Sequence, residues 1–568
     1  MTEFDVAILG GLVFDGTRAP RYRADVGIRD GVITEIGHLQ ASDARRVLDA
    51  SGMHVAPGFV DLHTHYDAQV FWDPYCTLSG WHGITSVAIG NCGFGFAPVR
   101  PDDRDKAMLS MTRVEAIPLA SMQAGLPWDW VTFPEFLDSL DRTPKAMNLL
   151  PYVPIGPLLV WVMGRERAKT GEMPTDAEHA EMAHLLEEAL DAGGCGWSAQ
   201  RLHPKGIAGV QRDYDGTGMP TDMMNNKTAL VLGEVLGRRN EGFIQTALAS
   251  PAGVDVDREH LRELAAVSGR PILFNVVQAF DNMPEIHRSI LEWLSDCHRD
   301  GLRIYGQGVT TDAGFTFTMD EFNLFDDAEP WAEATSGTVE ERRAKLADPA
   351  RREALKAWLP FAATAPIDTV TVLGPRTEAT KPFENLSVSE VAERLGKHPV
   401  DAFLDIAVAD DLKTLFFVNP PNRSREHLRE VLADEAVLVG VSDGGAHTKF
   451  LTAGRYPTEL LTRIVREEEI LTLEQAHWRL SAFPAYCAGF VDRGRLQVGA
   501  PADVVVYDYE QLEVLPMEIA HDFPGGEWRR IQKARGYRHV LVNGEVTLED
   551  DKETGTCSGR LLRHGRAS

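Results

Sequence analysis

The chain carries few of the features that would take it across a membrane or onto a polyanion. Its first residues, Met1-Thr-Glu-Phe-Asp-Val, have neither the basic region nor the apolar core of a secretory signal peptide. The longest apolar run, around Leu149 to Met163, is interrupted by Pro151, Pro154 and Pro157 and is too short to span a bilayer. The six cysteines, Cys76, Cys92, Cys195, Cys297, Cys487 and Cys557, are scattered without paired spacing, which argues against a disulfide framework. Positive charge is in deficit: 57 Lys and Arg face 84 Asp and Glu, and a net charge of −27 repels nucleic acid while favouring solubility. These absences predict a cytoplasmic, reduced protein without membrane or nucleic-acid partners, in which each cysteine is core filler or a ligand.

What is present is enough apolar sequence for a large core. With 568 residues, 44% of them hydrophobic, the chain has room for one large barrel and an accessory domain. The ends read as short strands. Val6-Ala-Ile-Leu precedes a Gly10-Gly11 turn and Leu12-Val-Phe, and Asp30-Gly31 and Asn543-Gly544 are hairpin signals between β-rich runs. Residues 1–56 and 486–568 are therefore expected to form one composite β-sandwich. Between them, apolar runs such as Thr85–Ile89, Gly242–Ala247, Pro271–Val277 and Val437–Val441 alternate with amphipathic stretches, including 177–192, 258–268, 286–300 and 423–433. That alternation implies parallel strands. The expected class is α/β: a (β/α)8 TIM-like barrel over 57–485, plus the small sandwich made by both termini. A polar, acidic span at about 311–360, helical through Glu340–Leu359, is expected to be an insertion lying over the site as a lid.

The sharpest chemical signal is Pro57-Gly-Phe-Val-Asp-Leu-His-Thr-His-Tyr-Asp67. Residues two apart on a strand share a side, so His63 and His65 at a strand end can grip one ion, and imidazole suits zinc and similar divalent metals. This motif resembles the amidohydrolase superfamily. The run Gly83-Ile-Thr-Ser-Val-Ala-Ile-Gly-Asn-Cys-Gly-Phe-Gly-Phe-Ala-Pro98 is similar to the second-strand signature of its N-acyl-D-amino-acid deacylase (D-aminoacylase) family. Further matches are Gly194-Cys-Gly-Trp-Ser-Ala, the segments 470–476, 483–496 and 498–508, and Asp522-Phe-Pro-Gly-Gly, so the resemblance spans essentially the whole chain.

The resemblance implies that Cys92 is a metal ligand. It also implies that Asp443, in Val437-Leu-Val-Gly-Val-Ser-Asp-Gly-Gly-Ala-His447, is both a ligand and the proton shuttle for an attacking water activated by the metal. The cofactor would be Zn2+ or another divalent ion, one or two per chain. Two positions depart from the family. The apparent fifth and sixth strands present Gln245 and Asn275 where the family has histidines, and amide oxygens bind zinc less well than imidazole. Candidate substrate-binding residues are Arg201, His203, Gln245, Asn275 and His447, with Lys205 and Arg455 as further cations. Trp128, Trp130, Trp161 and Pro157–Val160 are candidates for an acyl pocket.

The expected activity is hydrolysis of a carbon–nitrogen bond in an amide, N-acyl amino acid or cyclic amide, on a small-molecule substrate. A mononuclear lyase of the same fold and a non-catalytic binding barrel are the alternatives. A homo-oligomer is compatible with the sequence.

Overall fold

A computed structural model of the chain describes residues 3–201, 212–247, 258–322, 325, 328–362 and 365–564. Eight parallel strands form its centre: Phe59–Asp61, Ile84–Ile89, Asn148–Pro151 continuing as Val153–Pro154, Gly196–Gln200, Phe243–Ala247, Ile272–Val277, Ile304–Gly308 and Val437–Val439. The register runs Val60↔Ser86, Val87↔Leu149, Trp197↔Val153, Ser198↔Gln245, Gln245↔Leu273, Asn275↔Gln307 and Gln307↔Leu438. The first strand's continuation meets the last at a parallel Thr64↔Gly444 bridge, where the His65 amide donates to Gly444 O at 2.6 Å, and the barrel closes. Such strands are apolar on both sides because one side fills the barrel and the other faces helices. Val60, Leu62, Ala88, Leu150, Phe243, Leu273, Tyr305 and Leu438 belong to a single buried cluster that Phe483 and Cys487 join. The helices around them follow the sequence pattern: Asp176–Ala192, Arg258–Ser268, Pro284–Arg299 and Arg425–Ala433.

Between the seventh and eighth strands lies an insertion with its own core, built on Phe317, Phe325, Trp331, Phe403 and Phe416, which Phe450 joins from beyond the eighth strand. The helix expected over 340–359 is two helices, Val339–Ala347 and Pro349–Lys356. The Asp348 carboxylate accepts the Ala350 amide there and Pro349 opens the second helix, so the break is a capped restart.

Both chain ends enter one nine-stranded sheet. His54–Pro57 pairs antiparallel with Val504–Tyr507, joining strands from the N-terminal residues to Tyr537–Val542 and Glu545–Glu549. The Gly10-Gly11 turn is instead a bulge inside one strand, Phe4–Val13: the register shifts between Ile8 and Gly11, and the Gly10 amide donates to Asp25 Oδ1 at 2.7 Å. Past the sheet, the chain returns to the barrel. Leu149 donates to Arg560 O at 2.9 Å, Leu562 donates to Leu149 O at 2.8 Å, and a Cβ on Gly559 would lie 2.1 Å from Met147 O. Among the described residues, no helix is long and apolar enough to cross a membrane.

Candidate metal centre at the barrel mouth

His63 and His65 leave the first barrel strand side by side, each 1% exposed, with ring centroids 5.6 Å apart. A glutamine from the seventh strand sets the tautomer of the first ring. His63 Nδ1 lies 3.1 Å from Gln307 Oε1, a carbonyl that only accepts, so Nδ1 carries the proton and Nε2 is left as a lone-pair donor. That Nε2 faces Cys92 Sγ at 3.6 Å and Asp443 Oδ1 at 3.2 Å, while His65 Nε2 is 3.8 Å from the same oxygen. Ligand atoms of His63, His65 and Cys92 all lie within 4.8 Å of one another.

Cys92 reaches this cluster through a backbone conformation that L-residues rarely adopt. Its φ is 58°, between Gly90 at 79° and Gly93 at 77°. A left-handed non-glycine residue costs on the order of 1–3 kcal/mol and persists only where its surroundings over-determine it. Here they do. Asn91 Nδ2 donates to Thr64 O at 2.9 Å, the Cys92 amide donates to Gln245 Oε1 at 2.7 Å, and the Gly93 amide donates to Ser198 Oγ at 3.0 Å. The glycine after the cysteine is required by close approach, since a Cβ there would stand 2.7 Å from Thr221 Cγ2 and 2.9 Å from Ser198 O.

Asp443 is also left-handed, at φ 47°, with its side chain 28% exposed, so the acid is the open side of the cluster. Burial would raise its pKa, but the bond and charge of His63 outweigh burial and hold the carboxyl well below the usual range. The converse holds at His63: burial lowers its pKa, but Cys92 and Asp443 outweigh burial and hold it well above the ordinary histidine value. Burial carries His65 down to about 3 and raises the Cys92 thiol.

The structure adds a residue with no counterpart in the sequence reading. Glu115, 4% exposed at the end of the helix Arg104–Glu115, stands 3.7 Å from His65 Nδ1 and 3.4 Å from His447 Nε2. Burial and the nearby charge of Asp443 push its carboxyl well above the usual range. The His447 amide donates to Glu115 O at 2.6 Å, so His447 is gathered into the surroundings of the cluster through Glu115. Ala116, left-handed at φ 52°, ends the helix directly after Glu115.

The remaining candidates divide. Gln245 and Asn275 sit on the fifth and sixth strands, bonded to each other. Arg201 is held by His260, Met224 O and Asn226, and Arg455 by Asp312 and Glu459. His203 and Lys205 lie outside the described residues. Pro157, Val160 and Trp161 line an apolar cleft beside Gly93, together with Phe94, Val114 and Met219. Trp130 is buried instead in an aromatic cluster with Phe71, Trp128 and Phe136.

Comparison with known proteins agrees with this geometry. The chain is 29% identical to an N-acyl-D-glutamate deacylase of Alcaligenes xylosoxydans xylosoxydans, over 99% of this chain and 97% of that protein. It is similar to the crystal structure of N-acyl-D-glutamate deacylase from Bordetella bronchiseptica complexed with zinc and a phosphonate inhibitor: TM-score 0.66, 25% identity, 99% of this chain and 100% of that one. A D-aminoacylase with a binuclear metal centre shares the fold at 22% identity and TM-score 0.65, again over 99% and 100%. The amidohydrolase family model matches residues 46–548, all of the barrel and part of the terminal sheet, and the chain belongs to that family.

Proposed function

We propose that the chain is a metal-dependent hydrolase of carbon–nitrogen bonds, acting on N-acyl amino acids or related small amides. One observation carries this: two imidazoles and a thiol whose ligand atoms lie within 4.8 Å, with the Asp443 carboxylate 3.2 and 3.8 Å from the two rings. The donor set fits a zinc-like ion. Thiolate and imidazole are its preferred ligands, and Nε2 of both rings faces the same Asp443 oxygen. The similarity to a deacylase complexed with zinc and a phosphonate inhibitor supports the same choice.

When bound, the ion would supply Lewis acidity, polarising the scissile carbonyl and acidifying water. The chain's own residues would do the rest. Gln307 fixes the His63 ring so that its lone pair faces inward. Asp443 stays ionised near neutrality, so its carboxylate can take the proton of the attacking water and return it to the departing nitrogen. Its partial exposure leaves it open to substrate, and the apolar cleft beside Gly93 would receive an apolar part of that substrate. We assign the catalytic work to 57–485 and support to 1–56 with 486–568. The insertion after the seventh strand serves as cover, a role supported by the Lys449–Glu321 and Arg455–Asp312 ion pairs, which tie it to the segment after Asp443 at 2.9 and 3.0 Å.

The test is amine release from a panel of N-acyl-D- and N-acyl-L-amino acids and cyclic amides, alongside zinc analysis of the same preparation. Asp443→Asn should abolish turnover while substrate binding persists. A protein that holds no divalent metal and releases no amine from any member of the panel would leave the proposal without support.

A further inference from the structure

The centre has an ionisable half and a neutral half. His63 and His65 follow the first strand, Cys92 the second and Asp443 the eighth, whereas the fourth to seventh strands present Ser198, Gln245, Asn275 and Gln307. The middle two of these are joined head to tail. Gln245 Oε1 accepts the Cys92 amide at 2.7 Å, and Gln245 Nε2 donates to Asn275 Oδ1 at 2.7 Å. The Cys92 N–H can only donate, so it fixes the orientation of the Gln245 amide, and that amide fixes Asn275 in turn. Each of the two carbonyl oxygens already accepts one N–H, which leaves a single lone pair on a neutral amide for a cation. A cation drawn onto the Gln245 oxygen would compete with the buried Cys92 amide for it. Among the described residues, the group of His63, His65 and Cys92 is the sole cluster of three or more His, Cys, Asp or Glu that could hold an ion.

We infer that this is a one-ion centre, in which the Gln245–Asn275 amide pair takes the place of a second metal and acts as a positioning clamp on the loop that presents Cys92. The inference rests on the metal-dependent reading above. A second cation is disfavoured by chemistry: neutral, already-bonded amides offer a weak oxygen donor where imidazole would offer a strong nitrogen one. The clamp replaces what the second ion could otherwise contribute to the cysteine loop, a fixed anchor on the far side of the thiol.

The experiment counts metal. The full-length protein is saturated with zinc, freed of excess by gel filtration and analysed by mass spectrometry. One zinc per chain is expected, and two would overturn the inference while leaving the hydrolase reading intact. No zinc at all would remove the hydrolase reading and this inference with it. The double variant Gln245→His/Asn275→His should take up a second zinc. If it folds with unchanged circular dichroism and still binds one, the amides are not what limits the count and the assignment fails. Gln245→Ala should weaken the remaining zinc by about 10–100-fold in competition with a chelator, the range for an outer-sphere partner. Unaltered affinity there would refute the clamp.

Discussion

The barrel mouth and the seam between the barrel and the terminal sheet both bury imidazoles, and they differ in what surrounds the rings. At the barrel mouth His63 and His65 are crowded by a thiol and two carboxylic acids. At the seam between the barrel and the terminal sheet, His82 is bonded on both sides, to Thr458 Oγ1 at 2.8 Å and Gln532 O at 2.9 Å. There, His477 and His54 share the Tyr507 hydroxyl at 2.8 and 3.1 Å. Burial lowers the pKa of His82 and His54 to about 4 and of His477 to about 3. Burial is common to both sites, so burial does not mark function. The mark is a set of concentrated, mutually repelling donors that need a cation to hold them together.

The largest expected effect lies at the mouth. His63→Ala should lose the metal and at least a hundredfold in kcat/KM, beyond the roughly 10–100-fold typical of partners one shell further out. His82→Ala at the seam should leave the zinc count unchanged. Metal analysis of both variants checks the pair, and zinc lost from the seam variant would erase the contrast.

Next comes acid stability. Because the folded pKa values of His82, His54 and His477 lie below the ordinary value of 6.5, their contribution is complete above pH 6.5 and is lost as pH falls towards 4. For His82 this amounts to up to about 3 kcal/mol. Urea unfolding at pH 7 and pH 4.5 should show a smaller drop for His82→Leu than for the wild type, and parallel drops would contradict the assignment. Tyr507→Phe should cost about 2 kcal/mol by leaving two imidazoles short of a partner, with metal content and kcat retained. The smallest effect is expected for Gln307→Ala: about tenfold weaker zinc with an unshifted thermal midpoint, since water can take the place of the carbonyl beside His63 Nδ1. A lowered midpoint with intact affinity would mean that Gln307 belongs to the seam's kind of burial.

The same contrast explains what could be read in advance. His63 and His65 were legible because strand geometry alone pairs residues two apart, and Cys92 and Asp443 because they stand in runs that resemble a known family. Glu115 was not, since it ends an ordinary surface helix and acquires its meaning from rings that follow a strand some fifty residues earlier in the chain. Gln307 was hidden in the same way inside the short strand Ile304–Gly308. The alternation of strands and helices gave the barrel. The Gly10-Gly11 bulge looked like a turn because its continuation as a strand depends on partners at Arg23, Ala24 and His54, which no local pattern announces.

One contact governs the order in which the molecule can be finished. The third barrel strand bonds on one edge to the second strand and, through Leu149, to residues Arg560 and Leu562 of the returning chain. A ribosome delivers those residues after every barrel strand has already emerged. The nascent cylinder must wait with that edge exposed until residues 559–562 arrive to latch it, and chains interrupted shortly before Gly559 should be the ones that quality control removes.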